Sequence, residues 1–333
     1  MIPPTIEIIN WCNFDCRHCC VAKPGKQERV YINKKLFDRI AAELHAFGFS
    51  YTGITGAGEI GLHPELADLF TALARNSIHF EFLSNGSLFK EKIFPVIREP
   101  LIRKFLYRVG FSLDSSREEV HDYSRAKGSF RKIIEAIAMC KLSGIPFYIK
   151  TTVTNLNKDH LKDIVLLTSS LGAFSQSFIF PCPTKRLIDE NLIPSPDETE
   201  KLFWQLKAWT KIFSILKLEA FSSDNKLFSC NAFNKFSIDA HGNYLICANL
   251  AHVRTYKKQK IGMEACGNFK HDSLDLMVKR HMRLLPEIVK WRLQRKDMIK
   301  SSTISLCDWC FYQFGKLEWI KEYKSSPWAK CFI

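Results

Sequence analysis

Two kinds of hydrophobic pattern alternate along the first two thirds of the chain. Short apolar runs, typical of buried strands, are separated by stretches in which apolar residues recur at helical spacing. Strands are predicted at 5–10, 51–55, 79–84, 106–114, 146–153 and 176–181. Helices are predicted at 33–47, 64–76, 88–98, 128–143, 159–171 and 197–217. Six strands, each followed by a helix, predict an α/β fold with a parallel sheet, whose natural closed form is a partial (β/α)6 barrel.

The pattern changes after residue 217. Residues 227–250 read as a β-hairpin that turns at His241-Gly242-Asn243. A basic helical segment at 272–298 and a cysteine-bearing tail follow. We therefore divide the chain into a core domain, 1–217, and a small C-terminal domain, 218–333.

Composition is that of an ordinary water-soluble protein, with 46% hydrophobic and 25% charged residues. No apolar run approaches the ~20 residues of a membrane span, and residues 1–10 do not resemble a secretory signal. We therefore predict a cytoplasmic protein without membrane contact. The net charge of +14 favours acidic partners, but no nucleic-acid-binding motif accompanies it, so we interpret it as a lysine-rich surface.

Twelve cysteines in a reducing compartment point to metal chemistry rather than disulfides. Cys12, Cys16 and Cys19 follow the first predicted strand with the spacing CxxxCxxC. Three thiolates on one loop can hold three irons of a [4Fe–4S] cube and leave the fourth iron open to a ligand. The same spacing leaves open a zinc site with Cys20 or His18 as the fourth ligand.

Three further motifs lie in order along the chain, at or just after the predicted strand ends, and a single arginine follows them. Gly56-Ala57-Gly58-Glu59 ends the second strand, Leu83-Ser84-Asn85-Gly86 the third and Phe111-Ser112-Leu113-Asp114 the fourth, and Arg125 lies soon after. With the CxxxCxxC loop, these motifs resemble the radical S-adenosylmethionine (SAM) superfamily over residues 5–215. Two departures are Ala57 and Ile60, which replace a Gly and the Pro of the family's GGEP segment.

The resemblance implies a set of cofactor-binding residues at this edge of the sheet. Cys12, Cys16 and Cys19 would hold the [4Fe–4S] cluster. The residues expected to bind SAM are Gly56, Gly58, Glu59, Ser84, Asn85, Ser112, Asp114 and Arg125. Arg125 is the expected partner of the SAM carboxylate; a salt bridge at the protein surface is the alternative.

A second group of cysteines lies in the C-terminal domain. The run from Cys230 through Gly242 to Cys247 resembles the opening of the SPASM and twitch extensions of radical SAM enzymes. Cys307 and Cys310 supply two more thiols, and Lys316 stands where a full SPASM domain has its next cysteine. This resemblance implies one auxiliary [4Fe–4S] cluster on the four thiols. Cys266 and Cys331 remain alternative ligands, and a four-cysteine zinc ribbon is an alternative site.

The resemblance also implies a reaction class. A radical SAM enzyme reductively cleaves SAM to a 5′-deoxyadenosyl radical, which abstracts a hydrogen from the substrate, and it draws its electron from a donor such as flavodoxin or ferredoxin. We expect a peptide substrate, with epimerisation, crosslinking or oxidation as the outcome. A dehydrogenase or epimerase of a sugar or aminocyclitol is the alternative, and a non-catalytic metal-binding protein that binds nucleic acid is the alternative of another class.

Among the remaining cysteines, Cys182 ends the sixth predicted strand at the same edge as the expected SAM site. A thiol there could donate a hydrogen atom to a substrate radical, as an epimerase requires. An unreactive loop cysteine is the alternative. We interpret Cys20 and Cys140 as small buried hydrophobic residues.

Overall fold

One sheet of ten strands runs through the computed structural model, which describes residues 2–21, 24–218, 235–249, 265–294 and 306–332. In chain order the strands are β1 Thr5–Ile6, β2 Tyr51–Ile54, β3 His79–Ser84, β4 Leu106–Ser112, β5 Phe147–Thr152, β6 Ser175–Ile179, β7 Leu216–Leu218, β8 Ser237–Ile238, β9 Asn243–Leu245 and β10 Ala265–Asn268. Their order across the sheet is β10-β9-β8-β1-β2-β3-β4-β5-β6-β7. Strands β1 to β6 run parallel, which confirms the predicted α/β class.

Helices occupy the connections between the parallel strands. In chain order they are α1 Lys34–Ala46, α2 Leu66–Arg75, α3 Phe94–Ile97, α4 Pro100–Phe105, α5 Glu118–Ser124, α6 Ser129–Leu142, α7 Leu161–Leu171, α8 Lys185–Asp189, α9 Pro196–Trp209, α10 Leu274–Gln294, α11 Leu306–Gln313 and α12 Pro327–Lys330. The predicted helix 88–98 is instead a π-helical turn, Phe89–Ile93, followed by α3. The short helices α5 and α8 were not predicted.

The predicted helix 197–217 is wrong in its second half. Helix α9 begins with a capping box, in which Ser195 and Glu198 exchange hydrogen bonds, and it ends at Trp209. Residues 216–218 form β7, which pairs in parallel with β6. The apolar residues near the end of this segment suit either structure, and the free edge of β6 decides between them because it offers unpaired backbone groups.

The C-terminal hairpin extends the same sheet. Strand β8 pairs with β1 in parallel, with Thr5 opposite Ser237, and β9 pairs with β8 in antiparallel orientation. The Asp239 carboxylate accepts hydrogen bonds from the backbone N–H groups of His241 and Asn243 and so shapes the predicted turn. Residues 227–234 of the predicted hairpin lie outside the described residues. Because β8 lies directly on β1, the sheet crosses the predicted division at residue 217.

Apolar side chains gather in a large core and two smaller ones. The large core joins the sheet to α1, α2, α6 and α10. A second core contains Leu187 of α8, Trp309 and Phe311 of α11, and Trp328 of α12. It therefore ties the C-terminal tail to the segment that follows β6. No helix in the described part of the chain is long and apolar enough to cross a membrane.

Candidate active site

The CxxxCxxC loop follows β1 and is held by backbone contacts with two other segments. Arg17 N donates to Ser124 O at 2.9 Å, which joins the loop to the end of α5. Glu59 N donates to Trp11 O at 3.1 Å, which joins it to the segment after β2. A Cβ atom at position 58 would lie 2.3 Å from Trp11 O, so only glycine permits this approach. Gly58 thus serves the contact between the glycine motif and the cysteine loop.

Hydrogen-bond donors surround two of the three loop thiols. Asn85 Nδ2 lies 3.5 Å and Phe14 N 3.4 Å from Cys12 Sγ. Arg125 Nη1 lies 3.9 Å from Cys16 Sγ. Burial raises the pKa of the Cys16 thiol to about 12, although the Arg125 charge opposes this. Donors aimed at sulfur are what iron-bound thiolates require, so the loop fits a [4Fe–4S] cluster that displaces the protons.

Glu59 connects the ends of two neighbouring strands. Its carboxylate is only 2% exposed and accepts hydrogen bonds from Ser84 Oγ and from Asn85 N, both at 2.7 Å. Burial raises the pKa of Glu59, and these donors partly offset the rise. The predicted SAM ligands Glu59, after β2, and Ser84 and Asn85, at the end of β3, therefore lie together. Both carboxylate oxygens of Glu59 already accept hydrogen bonds from groups of this chain.

Asp114 and Arg125 form a buried ion pair beside the cysteine loop. Arg125 Nε lies 2.6 Å from Asp114 Oδ2, and Arg125 Nη2 donates to Asp114 Oδ1 at 3.1 Å. Burial raises the pKa of Asp114, but Arg125 and His18 outweigh burial and hold that pKa well below its ordinary value. The alternative of a surface salt bridge is therefore wrong. On the other side of the guanidinium, Arg125 Nη1 lies 3.9 Å from Cys16 Sγ, so one arginine contacts both Asp114 and the cysteine loop.

His121 holds the backbone of Asp114, one member of this ion pair. Its Nδ1 accepts a hydrogen bond from Asp114 N at 3.1 Å, which requires the neutral ring with its proton on Nε2. Burial lowers the pKa of His121 to about 4. Ser112, two residues before Asp114, is buried at the end of β4. His121 was not among the predicted site residues, although it lies in the segment before Arg125.

A cavity of about 240 Å³ opens beside the glycine motif. The residues that line it include Gly56, Cys20, Cys182, Phe311 and Glu7, which directly follows β1. Cys182 is therefore at the predicted edge of the sheet. Glu7 was not among the predicted site residues, although an acidic residue inside the apolar run TIEIIN is a visible departure from the strand pattern.

The second group of thiols lies around one apolar cluster. Five cysteines border the core that contains Trp309 and Trp328: Cys182, Cys247, Cys307, Cys310 and Cys331. Cys266 is instead buried in the large core, and Cys230 lies outside the described residues. Lys316 is buried near the end of α11. Thiols that pack against one apolar cluster fit a second iron–sulfur cluster. Cys331 meets this condition, whereas Cys266 does not.

In the described ranges, no three histidine, cysteine or acidic side chains converge on a point where a single ion would bind. An iron–sulfur cube holds each thiolate on a different iron, so its ligand sulfurs do not meet at one point.

Comparison with known proteins identifies the N-terminal part of this arrangement. Residues 6–168 match the family model described as the radical SAM superfamily. These residues belong to the radical SAM superfamily. The match covers the cysteine loop, the glycine motif, the strand ends and the Asp114–Arg125 pair. Members of this superfamily use a [4Fe–4S] cluster together with SAM, which confirms the predicted cofactor class.

Curated relatives of the radical SAM domain have different roles. The chain is 30% identical over 176 residues to the antilisterial bacteriocin subtilosin biosynthesis protein AlbA of Bacillus subtilis, which covers 52% of this chain and 38% of AlbA. It is 25% identical over 210 residues to the AdoMet-dependent heme synthase of Methanosarcina barkeri, which covers 62% of this chain and 58% of the relative. The matches thus span only about two fifths to three fifths of these relatives' lengths.

A solved structure is similar in fold over nearly the whole chain. It is described as native anSMEcpe with bound AdoMet and Cp18Cys peptide. The match has a TM-score of 0.65 and 16% identity, and it covers 96% of this chain and 97% of that chain. At this identity the likeness concerns the fold alone.

Proposed function

We propose that this protein is an enzyme that reductively cleaves SAM and abstracts a hydrogen atom from a peptide. The observation that carries the proposal is the convergence of the cysteine loop, the Glu59 junction and the Asp114–Arg125 pair at one edge of the sheet. A [4Fe–4S] cluster with SAM supplies, when bound, an electron to the sulfonium and yields methionine and a 5′-deoxyadenosyl radical. The residues around it then position and enclose the reactants.

Each predicted residue has a role in this proposal. Cys12, Cys16 and Cys19 hold the cluster, while Asn85 and Arg125 donate to two of their sulfurs. The residues proposed to form the SAM site, directly or by bracing it, are Gly56, Gly58, Glu59, Ser84, Asn85, Ser112, Asp114 and Arg125. Glu59 and Asp114 already accept hydrogen bonds within the chain, so we assign them to shaping the site. We assign Arg125 to binding the SAM carboxylate, because its guanidinium can pair with that group.

Anaerobic reconstitution tests the activity directly. The cluster-loaded protein is incubated with dithionite and SAM, and 5′-deoxyadenosine and methionine are quantified by chromatography. We expect both products in equal amounts. A sample with about eight irons per chain and no 5′-deoxyadenosine would overturn the proposal and favour a non-catalytic metal-binding protein.

A peptide substrate is supported by the relative named for subtilosin biosynthesis and by the fold shared with a peptide-bound structure. The basic surface, with its net charge of +14, would also attract an acidic leader segment or an acidic electron carrier. The test is incubation with synthetic peptides encoded by short reading frames beside the gene, followed by mass spectrometry. A change in mass or in residue chirality that requires SAM is the expected result.

A small-molecule substrate is the second candidate, and the cavity volume is compatible with it. At about 240 Å³ the cavity is below the usual range for drug-sized ligands, so it accepts either one side chain or one small ring. The heme synthase among the relatives is named for a product that is not a peptide. Conversion of a sugar or aminocyclitol, with no change to any of the peptides, would favour this candidate.

The C-terminal part, 218–333, is proposed as an auxiliary-cluster domain of the twitch or SPASM kind. Cys230, Cys247, Cys307 and Cys310 are its proposed ligands. This proposal is supported by three of those thiols bordering the same apolar cluster. Cys331 borders the cluster as well, and it is the proposed replacement if one of the four does not bind iron.

Cys182 is proposed as the hydrogen-atom donor of an epimerase. Its position in the cavity wall supports this role. In an epimerisation, Cys182→Ala should stop formation of the inverted product while 5′-deoxyadenosine still forms. Cys140→Ala is the matched control, because Cys140 is buried in the large core. Unchanged product in Cys182→Ala would remove the donor role, and loss of iron would instead indicate a ligand.

A further inference from the structure

The segment that follows β6 carries two charged side chains that contact the cysteine loop. Arg186 lies in α8, and Glu190 lies one helical turn later, at the end of that helix. Arg186 Nη1 donates to Asp15 Oδ1 at 3.2 Å, and Arg186 Nε donates to Glu190 Oε1 at 2.9 Å. Arg17 Nη1 in turn donates to Glu190 Oε2. These four side chains form an ion-pair network of alternating charge that begins and ends on the cysteine loop.

The two loop residues of this ion-pair network are the direct neighbours of Cys16, a proposed cluster ligand. A single ion pair between partly exposed side chains contributes little to stability. Here, however, Arg186 contacts two carboxylates, and Glu190 contacts two guanidinium groups. Hydrogen bonds from Arg186 and Arg17 lower the pKa of Glu190, as expected for one carboxylate between two cations. The network therefore holds the loop on both sides of Cys16.

The same segment also packs against the C-terminal tail. Leu187 of α8 is buried in the core that contains Trp328. Trp328 Nε1 donates to Pro194 O at 3.0 Å, which joins the tail to the chain that follows α8. The thiols of the second cysteine group border this same core. Residues 185–194 therefore contact both the loop of the first cysteine group and the apolar core of the second.

We propose that residues 185–194 are a positioning element of the SAM-cleaving site. Arg186 and Glu190 hold the cysteine loop in the geometry that binds its cluster, and packing of the C-terminal tail fixes the segment that carries them. The inference rests on the proposed function, since it takes this loop to hold the SAM-cleaving cluster. It adds a coupling between the two cysteine groups: disturbing the tail should speed the loss of iron from the loop.

A charge-reversal cycle tests the ion-pair network without turnover. Cluster-loaded protein is mixed anaerobically with the iron chelator bathophenanthroline, and samples are reduced and frozen at intervals. The electron paramagnetic resonance signal that changes on addition of SAM reports the loop cluster. Arg186→Glu places a carboxylate against Asp15 and Glu190, so this signal should disappear at least about fivefold faster. Asp15→Arg/Arg186→Glu restores opposite charges and should return the rate to within about twofold of wild type.

Lys279→Glu is the matched control for the cycle. It reverses one charge of an exposed ion pair with Asp275 on α10, so the rate of cluster loss should not change. Equal rates for wild type and Arg186→Glu, or no recovery in the double variant, would overturn the proposal. If Arg186→Glu does not load iron, the milder Arg186→Gln takes its place, with an expected rate about twofold above wild type.

The coupling to the tail is tested with a variant outside the ion-pair network. Trp328→Phe removes the indole N–H that donates to Pro194 O but keeps an aromatic ring in the core. We expect the loop cluster to be lost about two- to threefold faster. Trp209→Phe is the control, because Trp209 packs against a different apolar core, and its rate should equal that of wild type. An unchanged rate in Trp328→Phe would overturn the coupling.

The proposed SAM cleavage and this inference can fail separately. Formation of 5′-deoxyadenosine by the wild-type protein reports SAM cleavage, whereas the rates of cluster loss are measured without turnover. A protein that cleaves SAM but loses its loop cluster at one rate in every variant would contradict only the positioning role. A protein that shows the expected rates but forms no 5′-deoxyadenosine would contradict only the proposed function.

Discussion

The two cysteine groups of this protein are built in different ways. Cys12, Cys16 and Cys19 lie on one short loop, and the polar side chains of Asn85 and Arg125 lie close to two of the three sulfurs. The second group collects its thiols from segments far apart in the chain, around an apolar cluster that contains Trp309. A site on one loop depends on local spacing and on a few buried charges. A site gathered from distant segments depends on the packing of the whole C-terminal part.

The largest expected effect is on SAM cleavage and iron content, and it comes from removing the thiols of the CxxxCxxC loop. Replacing Cys12, Cys16 and Cys19 together by alanine should abolish formation of 5′-deoxyadenosine, because no open iron remains to bind SAM. Iron content should fall from about eight to about four per chain. Iron analysis and chromatography check both numbers. Residual 5′-deoxyadenosine above the background of protein-free dithionite would contradict the assignment of this loop.

The second effect concerns the buried charges of the local site. Arg125→Met leaves the Asp114 carboxylate buried without its cation, which should cost about 3–5 kcal/mol of unfolding free energy. The double variant Arg125→Met/Asp114→Leu should recover most of that loss. Urea denaturation at pH 7 measures both.

Arg131→Met is the control for that experiment. Arg131 also pairs with an acid, Glu118, but its side chain is 80% exposed, so the change should cost less than about 1 kcal/mol. Equal losses in Arg125→Met and Arg131→Met would show that burial of the first pair does not matter.

The third effect tests the assembled site. Cys307→Ser/Cys310→Ser should halve the iron content and lower substrate conversion, while SAM cleavage without substrate persists. Electron paramagnetic resonance of the reduced protein should show the loss of one of two cluster signals. Cys266→Ser, in the large core, should leave the iron content unchanged. Full iron in the double variant would place the auxiliary ligands elsewhere.

The smallest effect is a pH dependence from His121. Its folded pKa of about 4 lies below its ordinary value of 6.5, so the unfolded chain binds the extra proton first. The contribution of His121 to the free energy of unfolding is therefore fully present above pH 6.5. It falls by about 1.4 kcal/mol per pH unit between pH 6.5 and 4. His121→Gln should flatten the curve of unfolding free energy against pH by that amount. An unchanged slope would show that His121 is not buried as a neutral ring.

The sequence by itself determined the order of elements and the cysteine loop. Strand and helix periods repeat along residues 5–181, and the structure has a strand at each of the six predicted places. The first of them, predicted at 5–10, is only the two residues Thr5–Ile6. The CxxxCxxC spacing and the strand-end motifs identify the radical SAM domain. They predict one site because the carboxyl ends of parallel strands lie at the same edge of the sheet, whatever packs around them. Residue spacing and the order of strands can therefore be read from the sequence without knowing which residues are in contact.

Only the tertiary structure decided which residues meet. Periodicity extended the helix of 197–217 through residues 216–218, which instead pair with β6. The chain pattern separated the hairpin from the core, yet β8 pairs with β1 and brings Ser237 and Ile238 to the cavity where Glu7 lies. Spacing did not reveal that Cys331, and not Cys266, packs with the other thiols. The physical reason is that strand pairing, burial and thiol clustering arise from contacts between residues far apart in sequence, which local patterns do not encode.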